Sequence, residues 1–247
     1  MFGRLWAAFG FLTILPLPTW CRQTEKDLPR SVPLFPLVGL VIGGVVGGIA
    51  YLSAVYLPPA VAAVVYTLLL AGAHGGLHLD GLADTGDGFF SHRQRERILA
   101  IMQDARIGAY GCVTLMGVLA LKVAALGSLP PLMVAKALFL APLAGRCAMV
   151  LMLVVLPSAR EEGMGKLFKQ GRSFWEVLWA VAVLAVAGWC TLQWNGLVVI
   201  GAVIGLTIVF MGLCQRKING FTGDTLGALS ELSEAMTLVT LSILLFR

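Results

Sequence analysis

Hydrophobic and polar positions alternate along this chain in long blocks rather than in short periods. Seven apolar segments, at roughly 36–57, 60–79, 107–128, 132–156, 174–192, 195–214 and 225–246, are long enough or nearly so to cross about 30 Å of hydrocarbon as helices. The connections between them are of two kinds. Pro58-Pro59, Leu129-Pro130-Pro131 and Gln193-Trp194-Asn195 are tight, uncharged hairpins. The segments 21–35, 80–106, 157–173 and 215–224 hold thirteen of the 18 basic residues. Such one-sided loading predicts that the four charged connections are cytoplasmic and the three hairpins external. The pattern therefore predicts an all-α, polytopic integral membrane bundle of about seven spans, forming a single membrane domain over 1–247. Phe2 to Trp20 is read as an interfacial or re-entrant segment rather than an eighth span, because Pro16 and Pro18 interrupt it.

Composition agrees. The chain has 247 residues, 58% hydrophobic and 13% charged, whereas soluble domains carry about 25% charged residues. The net charge of +5 forms no basic stripe with interleaved aromatics, which argues against a nucleic-acid partner. The five cysteines include no Cys-x-x-Cys pair and read as small buried hydrophobes. Leu5 to Leu15 mimics a signal peptide, but Pro16, Pro18 and Trp20 stand where small cleavage-site residues belong, so the stretch is expected to be retained. Gly39, Gly43 and Gly47, four apart, predict a flat face for close helix packing on the first span.

The acidic residues gather in two clusters. Asp80, Asp84 and Asp87 stand at i, i+4 and i+7 at the end of the second apolar segment. On a helix they share one face, where like charges repel unless a cation sits among them. Hard carboxylate oxygens suit Mg²⁺. Gly81, Gly86 and Gly88 are expected to interrupt that helix, and a solvated loop with aspartates at turns is the simpler alternative. In the second cluster Asp224 is expected at or near the N-cap of the last span. Glu231 lies about 10 Å deeper at about 1.5 Å per residue, with Glu234 a turn beyond. Carboxylates inside a span mark a functional site by default; an ion pair with Arg146 is the structural alternative. If the two span ends pack together, bound Mg²⁺ links both clusters, with Glu231 sharing the site.

Basic groups near these clusters are phosphate candidates. Ser91 and Gln94 predict a capping box opening a short helix, whose Arg93, Arg95 and Arg97 suit either phosphate or anionic lipid headgroups. Asp104 and Arg106 open the next span level with the aspartates. Arg146, mid-span, reads as a partner of phosphate or carboxylate. Lys122 and Lys136 are expected to snorkel toward the uncharged hairpin. His74 and His78, at i and i+4, lack a third ligand in sequence and make a poor zinc site; His78 beside Asp80 is a candidate acid–base group, and His74 a packing residue.

The run Gly75-Gly76-Leu77-His78-Leu79-Asp80-Gly81-Leu82-Ala83-Asp84-Thr85 through Asp87-Gly88 resembles the signature of the cobalamin synthase family. Further similarities run in order along the whole chain: Phe11-Leu12-Thr13 with Leu15-Pro16-Leu17-Pro18, Phe35 to Gly39, Asp104 to Gly111, Gly145-Arg146, Arg160 to Lys166, and Thr222 to Ala228 with Glu231 and Glu234. Gln103 and Asn219 depart from the pattern, standing where relatives often have a basic residue and glycine. The resemblance implies a transferase that joins adenosylcobinamide-GDP to α-ribazole or its 5′-phosphate with release of GMP, at the cell inner membrane with its site facing the cytoplasm. It implies Asp80, Asp84, Asp87 and Asp224 as ligands of Mg²⁺, and His78, Asp104, Arg106, Arg146, Glu231 and Glu234 as catalytic. Arg93, Arg97, Arg160, Lys166 and Thr222 are the implied substrate-binding residues, and membrane lipid the surrounding partner. Phosphoryl transfer, which needs charge neutralised on a pyrophosphate and a nucleophile in line, fits the clusters read from the residues alone. Two rivals share part of this pattern: another Mg²⁺-dependent membrane transferase, of the CDP-alcohol phosphotransferase or aromatic prenyltransferase kind, and a transporter. A transporter would place its polar groups near the midplane in repeated broken helices.

Overall fold

The computed structural model describes residues 2–16, 27–160, 168 and 172–246. Among them are ten α-helices: α1 (Phe2–Leu12), α2 (Phe35–Ser53), α3 (Pro59–Ala73), α4 (Leu77–Phe90), α5 (Arg95–Ile101), α6 (Ala109–Ser128), α7 (Pro131–Val155), α8 (Phe174–Leu192), α9 (Trp194–Ile218) and α10 (Gly223–Leu245). Six stretches are long and apolar enough to cross a membrane: α2 with the 3-10 turn that precedes it, and α6 to α10. The bent pair α3–α4 makes a seventh if counted as one span. The protein is a multi-pass helical membrane bundle.

α7 is the central helix. It is buried along most of its length and packs most extensively on α2 and α10. The predicted glycine face meets it: Cβ atoms at Gly39 and Gly47 would lie 2.7 Å from Leu143 Cα and 2.8 Å from Ala135 O, and one at Gly43 would strike the Phe139 carbonyl. Only hydrogen at those positions lets the two backbones touch. The outward faces of α6 and α9 carry Val113, Met116, Ile208 and Val209, exposed and apolar as lipid contact requires. Cys112 and Cys190 also face outward, whereas Cys147 and Cys214 are buried as expected; Cys21 lies outside the described residues.

The second apolar segment departs from a straight span. α3 stops at Ala73, and α4 leaves at 91°. Gly75 and Gly76 adopt left-handed backbone, with φ of +61° and +79°. The Gly76 N–H donates to Ala71 O and the Gly75 N–H to Gly72 O, the paired bonds of a glycine helix stop. The helix therefore breaks before the aspartates rather than at Gly81, Gly86 or Gly88, and α4 is continuous. Those three glycines serve packing instead. Cβ atoms there would meet Asp224 O at 2.6 Å, Thr114 Oγ1 at 2.5 Å and Met102 Cγ at 2.7 Å.

One local expectation is corrected. No capping box joins Ser91 to Gln94: the Ser91 hydroxyl donates to Gly88 O at 2.6 Å, His92 is left-handed, and α5 starts at Arg95 without a side-chain cap. Asp224 stands near the N-cap of the last span as expected, in its first turn, and the N-cap itself is Thr222. Thr222 Oγ1 accepts from the Thr225 N–H, and Thr225 Oγ1 accepts from the Thr222 N–H at 2.8 Å. Asn219 holds the left-handed position that closes α9 (φ 56°), so asparagine there does the work of glycine. α1, at 11 residues, is about 16 Å long, too short to span; residues 17–20 lie outside the described ones.

Candidate active site at the charged end of the bundle

α4 and α10 pack closely against each other, and small residues allow it. Besides Gly81 on Asp224, a Cβ at Gly227 would lie 3.0 Å from His78 Cα. This contact brings the first turn of α10 against the acidic face of α4. Asp80, Asp87 and Asp224 all act electrostatically on Asp84, and so does Arg160. Among the described residues the one cation touching the group is Arg160, whose Nη2 donates to Asp224 Oδ2 at 3.2 Å. Arg160 is carried there by a short backbone pairing between the segment after α7 and the one before α10: Phe221 N donates to Pro157 O and Ala159 N to Phe221 O. Thr222 Oγ1 lies 3.3 Å from Asp224 Oδ2. Four carboxylates therefore lie within electrostatic reach at Asp84, with Arg160 on Asp224; hard oxygen donors of this kind suit Mg²⁺.

Asp87 has a further task that sequence reading missed. Its oxygens accept the Gly108 and Gly111 N–H groups at 2.6 and 2.8 Å, so it caps α6 across space. Each carboxylate oxygen keeps a second lone pair. Gly108 and Gly111 leave the room this needs, since a Cβ at either would collide with the Asp87 carboxylate.

Glu231 and Glu234 belong to a second, buried group about two to three turns deeper in α10 than Asp224. Lys122 donates to Glu231 Oε2 at 2.6 Å and to Glu234 Oε2 at 2.8 Å. Arg146 donates to Glu234 Oε1 at 2.6 Å and to Ser230 Oγ at 3.3 Å. His74 Nε2 lies 3.0 Å from Glu231 Oε1, off the angle of a hydrogen bond, and His74 stacks on His78 with ring centroids 4.2 Å apart. Two expectations change. Lys122 does not snorkel; it is 1% exposed because the Val118, Lys122, Ala125 face of α6 turns inward. Arg146 pairs with Glu234, not Glu231. Lys136 is half-buried.

The missed residues were Lys122 and His74. An ionisable side chain in register with buried Val118 and Ala125 was the available signal for Lys122. His74, His78 and Glu231 place donor atoms within 4.8 Å of one another, so the third ligand absent from the local sequence comes from α10. Lys122 and Arg146 already neutralise the two glutamates, and a further dication there would add uncompensated buried charge. His78, 2% exposed, stands between the groups and lines an open cleft with Phe11, Leu77, Asp80, Met149 and Asp224.

The remaining predicted residues divide. Asp104 and Arg106 pair with each other at 2.8 Å in the loop before α6; hydrogen bonds from Arg106 hold the exposed Asp104 carboxyl down at about 2. Arg93, in the turn before α5, and Arg97, on α5, are exposed, away from the carboxylate group's direct contacts. Their neighbour Arg95 is structural, donating to Ile218 O at 3.0 Å and Ala159 O at 2.7 Å. Lys166 lies outside the described residues.

With an aspartate-and-arginine site at one end of a membrane bundle in view, comparison with known sequences becomes informative. Residues 4–242 match the family model of cobalamin-5-phosphate synthase. The chain belongs to the cobalamin-5-phosphate synthase family. Among its relatives, the adenosylcobinamide-GDP ribazoletransferase of Geotalea daltonii is 39% identical over 241 residues, covering 98% of this chain and 97% of its own. The enzyme of that name from Roseiflexus sp. is 39% identical over 249 residues, covering 98% and 90%. That of Acetivibrio thermocellus is 35% identical over 237 residues, covering 96% of each. No solved structure matches. Membership of this family makes the chain a transferase of cobalamin synthesis, and its signature run from Gly75 to Gly88 is the glycine stop followed by the whole acidic face of α4.

Proposed function

We propose that the chain joins adenosylcobinamide-GDP to α-ribazole, or its 5′-phosphate, in a Mg²⁺-dependent reaction that releases GMP. The carrying observation is the contact of Gly81 with the Asp224 backbone, which brings the acidic face of α4 and the first turn of α10 within electrostatic reach, with Arg160 on Asp224. Asp80, Asp84, Asp87 and Asp224 would hold the metal, and when bound it would neutralise charge on the pyrophosphate. Arg160 is placed to bind a phosphate oxygen at the rim, and Thr222 to hold Asp224 in orientation. The ribose hydroxyl oxygen forms a bond to the phosphorus attached to cobinamide, the bond from that phosphorus to the GMP oxygen breaks, and GMP leaves as the anion. His78, on the cleft wall beside Asp80, takes the hydroxyl proton. Glu231, Glu234, Lys122 and Arg146 act one layer behind, fixing α6, α7 and α10 around the imidazole pair.

The loading of basic residues on the charged connections supports a site at the cytoplasmic face of the cell inner membrane, where both polar substrates would be supplied. Arg93, just before α5, and Arg97, on it, are both exposed and suit phosphates of incoming substrate or anionic lipid. The test is direct. Purified protein given both substrates and Mg²⁺ should release GMP with formation of the joined corrinoid, and excess EDTA should stop it. Absence of GMP under the complete conditions overturns the assignment.

A further inference from the structure

Arg172, immediately before α8, is held differently from every other arginine described above. Its guanidinium lies over two aromatic rings, 5.5 Å from the Phe168 centroid and 5.6 Å from that of Phe221. The rings suit its faces, yet Nη1 and Nη2 are buried and have no hydrogen-bond partner among the described residues. Buried donors of this kind ordinarily find an acceptor. The neighbouring carboxylate, Glu176 in the first turn of α8, acts on Arg172 only through space. Burial pulls the Arg172 pKa down to about 10 against that attraction, so the group is still a cation at neutral pH. The same three side chains line an open pocket together with Leu153, Pro157 and Ser158. It contains a positive charge, two aromatic faces and donors unmet among the described residues.

This pocket shares a wall with the carboxylate site. Phe221, whose ring covers Arg172, is bonded through its backbone to Pro157 and Ala159, the segment that delivers Arg160 to Asp224. Three residues separate Phe221 from Asp224, so their Cα atoms are at most about 11 Å apart. That is the scale of one nucleoside.

We propose that Arg172, clamped between Phe168 and Phe221, binds a phosphate monoester that takes no part in the bond change, the 5′-phosphate of the ribazole substrate. The pocket's taste for a phosphate monoester rests on Arg172 alone; the name of its bearer rests on the function proposed above. A pyrophosphate belongs on the carboxylate side, with Arg160. The monoester is the remaining anion, and its oxygens match a guanidinium fork bidentately. The phosphate of an anionic lipid headgroup has the same chemistry, and the experiment separates the two.

Full-length protein in detergent is unfolded by heat with ribose 5-phosphate, with ribose, or with dihexanoyl phosphatidic acid, for the wild type, Arg172→Gln and Arg172→Lys. Ribose 5-phosphate at about ten times its dissociation constant should raise the wild-type midpoint by about 3 °C, and ribose should not. Arg172→Gln should lose the shift and Arg172→Lys keep part of it. In turnover, Arg172→Gln should raise KM for α-ribazole 5′-phosphate at least about tenfold relative to that for α-ribazole, with little change in kcat. No wild-type shift, an undiminished shift in Arg172→Gln, or a shift with phosphatidic acid alone overturns the proposal. Should Arg172→Gln fail to fold, the wild-type ligand comparison and Arg172→Lys still decide it. A wild type that responds to ribose 5-phosphate but releases no GMP would overturn the ribazole assignment while leaving the phosphate pocket standing.

Discussion

Lys122 shows how a single side chain is decided by what packs on it. Two carboxylates and two cations share a volume with almost no exposure, so each charge depends on the others. Lys122→Met removes a group that touches both glutamates. Stranding a buried charge costs about 3–5 kcal/mol, and the variant should show that loss in thermal or denaturant unfolding. Lys122→Met with Glu231→Gln should recover part of it; no recovery would mean that the lysine acts through packing alone. Asp84 makes the opposite case. It ends in no ion pair among the described residues, and Asp80, Asp87 and Asp224 all bear on it. Asp84→Asn should leave the fold intact and reduce GMP release about 10²–10³-fold, as expected for about 3–4 kcal/mol of lost transition-state stabilisation. Near-normal turnover would move the metal site elsewhere.

At the scale of the element, α4 depends on hydrogen atoms where neighbours have side chains. A methyl group at Gly81 would stand 2.6 Å from Asp224 O, and backbone cannot yield as a flexible side chain does. Gly81→Ala should therefore push α4 from α10, costing about 1–3 kcal/mol and at least tenfold in turnover. Gly44→Ala, with open space around its Cβ, is the control and should change neither. Equal behaviour of the two variants would show that the approach of α4 to α10 is not what assembles the site. The bend between α3 and α4 belongs to this scale too. Gly75 and Gly76 sit inside an apolar run that reads as continuous by hydropathy, and their left-handed backbone ends it about one turn before the first aspartate.

For the whole molecule, the separation of charged and uncharged ends makes a topological claim. In a cysteine-free background, cysteines placed near Pro59, Pro130 and Asn195 should react with an impermeant reagent only from outside. Those near Arg95 and Lys217 should react only from the cytoplasm, and reversal of any group breaks the arrangement. The proposed Mg²⁺ site would be the other whole-molecule property, because the α4 and α10 carboxylates come from elements far apart in the chain. Mg²⁺ should raise the midpoint of thermal unfolding by mass action, and Asp224→Asn should reduce that increment. Glu231, already paired with Lys122 and facing His74, should behave otherwise: Glu231→Gln should lower stability equally with and without Mg²⁺. A smaller Mg²⁺ increment in Glu231→Gln would instead place that glutamate in the metal site.

The apolar blocks, the one-sided charges and the i, i+4, i+7 spacing of Asp80, Asp84 and Asp87 are local properties, and they determined the membrane bundle and its acidic helix face without reference to anything distant. The tendency of Gly39, Gly43 and Gly47 to meet another helix was legible for the same reason. Tertiary structure alone decided which charges meet. Glu231 takes Lys122 rather than Arg146, Asp87 caps a helix that begins 22 residues later at Ala109, and Arg172 is held between two rings. Hydropathy records how apolar a helix is but hardly its rotation about its own axis, and a charged side chain on a span goes to water, lipid or a buried partner according to that rotation. The rotation is set by the surfaces that pack against it, and those come from the rest of the chain.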